Sequence, residues 1–366
     1  MHINILDPVF QTALFISFLI AATVFTAYKD LGPHEMNHSH TNELKGVAIL
    51  MVIFSHIGYF LFSDHRFLFP LSVAGGVGVN IFLFLSGFGI TSSELKHNKL
   101  LLHFYIKRLR NIFIPMWIVL ISILILDFFI LGKFYTINTI VQSILGFFPN
   151  SDIDLAINSP LWYFTLVLFY YLIFPLVFWR KKPIISIVIV LLLGYFVTSI
   201  KLPFTKDVLK LYQLHYLAFP LGMVFANLDK GKIGVRINNK LLKISSNPII
   251  IFFLRYFLIF LLFLFFCYTA LNSGVGEKIM TEQLLSLCTV LSLVLILLIK
   301  DIQSGILVIL GKYSYEIYLI QWPFMYRHDF IYKYTPPFLG TLIYIALFLI
   351  IGLILNRIVK FIIRAR

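Results

Sequence analysis

Long apolar runs separated by short polar loops dominate the sequence. A helix needs about 20 apolar residues to cross the hydrocarbon core of a bilayer. Runs of this kind lie at approximately 9–28, 46–63, 74–93, 112–131, 161–179, 184–200, 213–228, 249–271, 283–299, 313–326 and 338–355. The pattern predicts an all-α, polytopic integral membrane protein with about eleven transmembrane helices, or ten if the short, polar run at 313–326 does not cross.

Positive charge is distributed unevenly between alternate loops. One set of loops holds 21 of the Lys and Arg residues, and the other set holds 8. The richer set comprises 29–45, 94–110, 180–182, 229–243, 300–312 and the tail 356–366. Because cytoplasmic loops carry the excess of Lys and Arg, this distribution places the N-terminus outside and the C-terminus in the cytoplasm. Such an arrangement requires an odd number of spans.

The composition agrees with a membrane protein. Of the 366 residues, 60% are hydrophobic and only 13% are charged, whereas soluble domains carry about 25% charged residues. The net charge of +14 does not indicate a nucleic-acid partner, because the charges lie in short loops beside apolar runs. Cys267 and Cys288 fall inside apolar runs and offer neither a disulfide framework nor metal-ligand spacing. We expect no soluble domain, and we interpret the outer segment at about 132–160 as a folded-back loop.

The stretch KGVAILMVIFSH (45–56) begins with a cation and ends with an imidazole inside an apolar run. Eleven helical steps of about 100° place Lys45 and His56 on one face, about 16 Å apart along the axis. An ionisable group inside a span is a functional hypothesis by default. A neutral His56 could act as a general base, or it could be a core histidine bonded to a neighbouring helix. Glu43 and Lys45 flank the helix start, where a carboxylate suits the helix dipole and Lys45 could simply anchor the topology.

Two further segments allow two interpretations each. YIKRLRNIFIP (105–115) puts Lys107, Arg108 and Arg110 just before a span that we expect to open near Pro115. These cations could set topology and attract anionic lipid, or they could bind a polyphosphate ligand. The glycines of GGVGVNIFLFLSGFGI (75–90) could allow close helix packing or make room for a thin ligand.

Two more charged residues fall inside predicted spans. Asp127 lies in the fourth run and Arg255 in the eighth. A buried charge needs a partner, so we expect each residue to be paired. One option is that they pair with each other.

Five segments occur in a characteristic order. Lys45 is followed by ten residues and His56, and the acidic Glu43 stands two positions before Lys45. The other segments are GVNIFLFLSGF (78–88), KRLRNIFIP (107–115), LWYFTLVLFYYLIFP (161–175) and GKYSYEIYLIQWPF (311–324). Together they resemble the acyltransferase 3 family of membrane O-acyltransferases, which modify bacterial cell-surface glycans. The resemblance covers about residues 41–326.

Three positions depart from the family pattern. Lys45 replaces the usual arginine, which keeps the charge but loses the bidentate fork. Val167 stands where many members carry a glutamate, and Gln321 stands at a position that is often histidine. The differences at Val167 and Gln321 suggest a subgroup nearer the exopolysaccharide-modifying branch.

The resemblance implies a division of the chain and a reaction. Residues 1–40 would form an extra N-terminal transmembrane helix and a cytoplasmic loop, and 41–366 the acyltransferase domain. The enzyme would lie in the bacterial cytoplasmic membrane and move an acyl group, most often acetyl, from cytoplasmic acyl-CoA to a hydroxyl of an outer glycan or lipid-linked sugar. The extended pantetheine arm, on the order of 15–20 Å long, matches the separation of Lys45 and His56.

The resemblance also implies roles for individual residues. His56 would act as the general base, either directly or through a relay nucleophile such as Ser86 or a tyrosine, and Lys45 and Glu43 would also belong to the catalytic set. The acyl-CoA phosphates would bind Lys45, Lys107, Arg108 and Arg110. The acceptor side would involve Trp162, Tyr163, Glu316 and Gln321. No metal is expected.

Two other classes of function remain open at this stage. A transporter or flippase for a glycan intermediate could use the same basic loops and intramembrane polar groups. The absence of internal repeats in the sequence weighs against it. A non-catalytic component of a polysaccharide-synthesis complex, working with other proteins of that complex, is the second alternative.

Overall fold

The computed structural model is an assembly of helices with one two-stranded sheet. It describes residues 3–30, 34–62, 64–96, 101–152, 156–201, 208–229, 232–273 and 278–364. The helices are α1 Pro8–Phe25, α2 His38–Phe60, α3 Gly75–Lys96, α4 Leu101–Leu131, α5 Ile137–Ile144, α6 Trp162–Val177, α7 Pro183–Ser199, α8 Val208–His215, α9 Ala218–Asp229, α10 Ile233–Ile244, α11 Pro248–Leu271, α12 Ile279–Ile299, α13 Gly305–Lys312, α14 Ser314–Tyr326 and α15 Pro337–Arg364. Strands β1 Ala27–Lys29 and β2 Ile302–Ser304 pair antiparallel.

The predicted all-α, polytopic membrane architecture is confirmed. In the part of the chain that the structure describes, eight helices are long and apolar enough to cross a membrane. Three predicted spans are shorter. Residues 184–200 correspond to the 17-residue α7, residues 213–228 are divided between α8 and α9, and 313–326 is the 13-residue α14. The number of spans and their orientation stay predictions.

The start of the fourth span was placed wrongly from the sequence. We expected it to open near Pro115, but α4 begins at Leu101 and Pro115 lies inside it. The basic segment with Lys107, Arg108 and Arg110 is therefore helical, not a loop. Proline is tolerated inside membrane helices because neighbouring groups can satisfy the backbone atoms that it frees.

Helices differ greatly in how much surface they bury. Helices α2, α3 and α12 are the most buried of the long ones, whereas α11 buries only Ile251, Thr269 and Ala270. An outward apolar surface is expected where a helix contacts lipid. Helix α2 therefore runs through the interior of the bundle, and side chains along it can face internal cavities.

The glycine-rich segment serves close packing. Helix α3 crosses α9 where a methyl group on Gly87 would collide with the carbonyl oxygen of Phe219. The contact is reciprocal, because a methyl group on Gly222 would collide with the carbonyl oxygen of Phe84. Small residues allow such backbone approach in membrane bundles. The packing interpretation of this segment therefore accounts for Gly87.

The first helix is joined to the rest of the bundle. Thr12 Oγ1 accepts a hydrogen bond of 2.8 Å from the backbone N–H of Leu68. The fully buried ring of Phe15 packs edge-on against Phe54, with ring centres 5.3 Å apart. Strand β1, directly after α1, pairs with β2 just before α13. These contacts fix α1 against the end of α2.

Asp127 and Arg255 do not pair with each other. Asp127 is fully buried and accepts hydrogen bonds from the Tyr135 hydroxyl at 2.5 Å and from His328 Nε2 at 2.8 Å, with Arg327 3.3 Å away. Arg255 forms an ion pair with Asp301. The expectation that each charge is paired is confirmed, and the option that they pair with each other is wrong, because each meets a partner from a different part of the chain.

Part of the segment after α5 is folded back into the bundle. Arg327 donates to the carbonyl oxygens of Ala156, at 3.1 Å, and Ile157. The Asn158 side-chain amide donates to the Leu319 carbonyl oxygen at 2.8 Å. This segment leads directly into α6, so these bonds also fix where α6 begins.

Candidate active site

Helix α2 lines two separate cavities. The first, which we name the basic cavity, has a volume of about 750 Å³ and is bordered by parts of α2, α3, α4, α6, α13 and α14. Its lining includes Lys45, Lys96, Lys107, Arg108 and Lys312. Among the described residues that line it there is no carboxylate. A concave site with several cations and no carboxylate among its described lining residues is suited to a ligand with several negative charges.

Arg108 is positioned in the basic cavity by aromatic rings. The carbon of its guanidinium group lies 5.9 Å from the ring centre of Phe104 and 5.7 Å from that of Tyr171. Cation–π contacts of this kind hold the planar guanidinium while leaving N–H groups for a ligand. The Tyr171 hydroxyl donates to Ser86 Oγ at 3.3 Å. Ser86 and Tyr163 also line this cavity.

The second cavity, which we name the histidine cavity, has a volume of about 170 Å³. It is lined by His56 and neighbouring residues of α2, by the start of α3, by Trp162, and by residues of α8 and α12. Its polar groups are Ser55, His56, Asn80, His215, Ser273, Glu282, Gln283 and Ser286. In contrast to the basic cavity, no Lys or Arg occurs among its described lining residues.

The His56 ring is held by the side chain of Gln321. His56 Nδ1 lies 3.0 Å from Gln321 Oε1 and 2.8 Å from Gln321 Nε2. The ring also packs edge-on against Trp322, with centres 5.0 Å apart. If Nδ1 carries the proton and donates to Oε1, the other ring nitrogen, Nε2, is left as a proton acceptor. This is the tautomer that a general base requires.

A chain of hydrogen bonds joins α8, α3 and α12 along one wall of the histidine cavity. His215 Nδ1 is 2.8 Å from Asn80 Oδ1, and Asn80 Nδ2 donates to Ser286 Oγ at 2.7 Å. The Trp162 ring stacks on His215 at an angle of 25°, with centres 5.5 Å apart. A flat aromatic ring beside hydrogen-bonding groups provides both an apolar and a polar surface. Such a wall fits a ligand that is rich in hydroxyl groups and has apolar faces, as sugars do.

An aromatic layer lies where the two cavities approach each other. Phe82, Tyr163 and Tyr318 all line the basic cavity, with ring centres 6.5 Å apart for the first pair and 5.8 Å for the second. On α3, Val79 lines the histidine cavity and Phe82 the basic cavity, which is a separation of about 4.5 Å along the helix. The two cavities are therefore close neighbours.

Four of the predicted site residues, Glu43, Arg110, Glu316 and Gln321, do not line either cavity. Glu43 is fully buried, and its Oε1 accepts hydrogen bonds from Lys300 Nζ at 2.6 Å and from the backbone N–H of Ser304 at 2.9 Å. The Glu316 carboxylate accepts a hydrogen bond of 2.5 Å from Asn356. Arg110 follows Arg108 on α4 but does not border the basic cavity.

The remaining predicted residues form two groups. Lys45, Lys107, Arg108, Ser86 and Tyr163 meet at the basic cavity, and His56 and Trp162 meet at the histidine cavity. Ser86 and His56 therefore belong to different cavities. Gln321, which we expected to bind the acceptor, contacts the His56 ring instead.

Sequence reasoning missed several residues of the site. His215 lies inside a predicted span, so the rule that selected His56 could also have selected it. Asn80 stands within the glycine-rich segment, where the pattern of small residues does not distinguish it. Lys96 and Lys312 lie in predicted loops, where the sequence pattern indicates only topology. No group of three or more potential metal ligands occurs in the part of the chain that the structure describes.

Comparison with known proteins agrees with the motifs. The chain is 28% identical over 220 residues to an O-acetyl transferase of Shigella phage Sf6, an alignment that covers 54% of this chain and 64% of the relative. It thus spans slightly under two thirds of that relative's length. No solved structure matches the chain. The acyltransferase domain family, acyltransferase 3, matches residues 42–357, a region that begins after α1. It contains every lining residue of the histidine cavity and all those of the basic cavity except Met36, Asn37, His38 and Thr41. The chain therefore belongs to the acyltransferase 3 family.

Proposed function

We propose that this protein is a membrane O-acetyltransferase that takes an acetyl group from acyl-CoA and transfers it to a hydroxyl of a sugar. The observation that carries the proposal is the arrangement of Lys45 and His56 on one helix. Lys45 borders a cavity with five basic side chains, and His56 borders a neighbouring cavity without Lys or Arg among its described lining residues. The cavity at Lys45 suits a polyphosphate donor, and the cavity at His56 suits a neutral acceptor.

The donor would enter by the basic cavity. Its phosphates would bind Lys45, Lys107 and Arg108, and its thioester arm would extend along α2 towards His56. The rise along the helix between Lys45 and His56 is about 16 Å, which is within the reach of the extended arm. The arm would have to pass the layer of Phe82, Tyr163 and Tyr318.

The reaction needs one base at the meeting point of donor and acceptor. With Nδ1–H donating to Gln321, His56 Nε2 takes the proton from the acceptor hydroxyl as its oxygen attacks the thioester carbonyl. A C–O bond forms, the C–S bond breaks, and the thiolate of CoA leaves. The imidazolium returns the proton to that thiolate. Because Ser86 lines the other cavity, this proposal uses His56 directly and no serine relay.

The orientation follows from the charges. The basic cavity lies at the end of the bundle that carries the predicted cytoplasmic loops, so acyl-CoA would bind from the cytoplasm. The acceptor would reach the histidine cavity from the outer side of the bacterial cytoplasmic membrane. The acceptor class that fits is a cell-surface glycan or a lipid-linked sugar, with Trp162 against one sugar face.

Transfer of label tests the proposal. Purified protein in liposomes is incubated with acetyl-CoA labelled in the acetyl group and with a glycan or lipid-linked sugar acceptor. We expect labelled ester on the acceptor and release of CoA, both lost in His56→Ala. A folded wild-type protein that neither transfers nor hydrolyses the acetyl group would overturn the proposal.

Two further experiments, one with the same liposomes and one in cells, separate the two alternative functions. A transporter would move labelled glycan across the vesicle membrane without any acetyl donor. A non-catalytic component would leave surface acylation unchanged when the gene is deleted, while the polymer is still assembled. Mass spectrometry of surface glycans with and without the gene would also identify the acceptor.

A further inference from the structure

A third concave region lies beside the basic cavity and has no role in the proposed function so far. This side groove has a volume of about 590 Å³. It is lined by Glu94, Leu101, Phe104, Phe174, Pro175, Phe178, Trp179, Arg180, Lys181 and Lys182. The groove is thus formed by the ends of α3 and α6, the start of α4 and the loop before α7.

The groove combines aromatic surface with positive charge. Phe174 and Phe178 are stacked, with ring centres 4.7 Å apart, and Trp179 beside them is 55% exposed. Three successive cations, 180–182, follow the aromatic residues. Arg180 Nη2 donates to the Leu95 carbonyl oxygen at 2.7 Å, which holds this side chain against the end of α3. Aromatic faces bind flat rings by stacking, and the adjacent cations suit a phosphate.

An unpaired acceptor atom adds a third feature. Glu94 lines the groove, and its Oε1 is buried without a hydrogen-bond partner among the described residues. A buried acceptor that lacks a donor carries a free-energy cost of about 1–3 kcal/mol. A ligand that brings an amino group to this position would remove the cost.

The groove is continuous with the basic cavity. A small pocket between them includes Glu94 and Phe104, which also line the groove, and Lys107 and Arg108, which also line the basic cavity. The guanidinium carbon of Arg108 lies 5.9 Å from the centre of the Phe104 ring, and the centres of the Phe104 and Phe174 rings are 6.3 Å apart. One elongated ligand can therefore occupy both sites.

We infer that the side groove binds the adenosine 3′-phosphate end of the acyl-CoA donor, an inference that rests on the proposed function. CoA carries two separated anionic groups, a diphosphate and a 3′-phosphate, with an adenine ring at the same end as the latter. The diphosphate lies at Lys107 and Arg108. The 3′-phosphate lies at Lys181 and Lys182.

The adenine ring occupies the aromatic part of the groove. It stacks on Phe178 and Trp179, and its exocyclic amino group donates to the unpaired oxygen of Glu94. This places the nucleotide outside the bundle interior and leaves the basic cavity to the diphosphate and the start of the pantetheine arm. The side groove then selects for the complete CoA donor over a shorter thioester.

Two donors that differ only in the 3′-phosphate test this assignment. Initial rates are measured with acetyl-CoA and with acetyl-3′-dephospho-CoA for wild type and for Lys181→Ala/Lys182→Ala. Each exposed ion pair contributes up to about 1 kcal/mol, or about fivefold, so the double variant should lose about tenfold in kcat/KM for acetyl-CoA. Its kcat/KM for the dephospho donor should equal that of wild type.

Three controls make the result specific. Lys243→Ala removes an exposed cation of α10 that does not line the groove and should change neither donor's kcat/KM. Arg108→Ala should weaken both donors, because both retain the diphosphate. Trp179→Ala should raise the KM of both donors without changing kcat.

The experiment distinguishes a wrong assignment of the side groove from failure of the proposed acetyl transfer. Equal loss for both donors in Lys181→Ala/Lys182→Ala would overturn the assignment while transfer itself persists. The double variant could lose kcat/KM for both donors in vesicles with anionic phospholipid but not in neutral phosphatidylcholine vesicles. In that case the groove binds a lipid phosphate and not the donor. If wild type turns over neither donor, it is the proposed function that fails.

Discussion

The two ends of helix α2 present opposite chemistry within one continuous helix. At the first end, Lys45 joins four other cations around an open cavity of about 750 Å³. At the second, His56 is bonded to Gln321 and lines a cavity of about 170 Å³, in which His215, Asn80 and Ser286 form a hydrogen-bonded chain. The first site can bind charge, whereas the second can orient neutral groups.

Under the proposed function, this difference would let one helix serve the donor at one end and the acceptor at the other. A highly charged donor cannot be carried into the interior of a membrane bundle without a large desolvation cost. Its charges can remain at the basic end if only a thin, neutral thioester arm reaches the interior. The histidine cavity then needs no cations, and its hydrogen bonds can instead fix one imidazole tautomer.

Removing the base should have the largest effect. His56→Ala should lower kcat for acetyl transfer by about 10²- to 10⁴-fold, the range expected for a general base, and leave the donor Kd unchanged. Transfer of labelled acetyl and binding of acetyl-CoA measure the two quantities. His65→Ala, an exposed histidine outside both cavities, is the matched control. Normal kcat in His56→Ala would remove the distinction between the two ends of α2.

Removing the support of the imidazole should have the next largest effect. Gln321→Leu deletes the partner of Nδ1, and loss of a hydrogen bond to a buried polar group costs about 1–3 kcal/mol. We expect kcat to fall by about 5- to 100-fold, with the donor KM unchanged. Gln321→Glu keeps an acceptor at Nδ1–H and should restore part of kcat.

The pH profile shows whether Gln321 acts through His56. With Gln321→Glu, the carboxylate stabilises the imidazolium, so the limb of the kcat profile assigned to His56 should move to higher pH than in wild type. A limb that stays in place in folded Gln321→Glu would show that the group titrating in kcat is not His56.

Reversing the charge at the basic end should affect donor binding alone. Lys45→Glu should raise the apparent KM for acetyl-CoA by about tenfold, because a charge-assisted hydrogen bond is lost and solvent reduces its contribution. Lys45→Arg should retain the KM of wild type. Steady-state kinetics at varied acetyl-CoA concentration measure the KM of both variants. An unchanged KM in Lys45→Glu would leave Lys45 as a topology signal only.

The smallest expected effect concerns the acceptor. Trp162→Ala removes the ring that stacks on His215 and faces the histidine cavity. A stacking contact contributes about 1 kcal/mol, so the acceptor KM should rise by about fivefold while the acetyl-CoA KM stays constant. The acceptor KM of Trp162→Phe should lie between those of wild type and Trp162→Ala. A change in the donor KM instead would indicate that both substrates use one cavity.

The sequence determined the membrane class and the positions of most helices. Apolar run length is a local property, and lipid requires each spanning segment to satisfy its own backbone. The spacing of Lys45 and His56 was also local, because it depends only on the geometry of one helix. The family motifs were readable for the same reason.

The tertiary structure decided which side chains share a cavity. Gln321 meets His56 from 265 positions away in sequence, and Lys300 meets Glu43 from 257 positions away. Glu43 and Lys45 stand two residues apart, but helical geometry separates their directions by about 200°, so one is buried in an ion pair and the other lines a cavity. The side groove depends on α3, α4 and α6 meeting at one end of the bundle. Helix packing sets such contacts, and no local pattern in the chain encodes them.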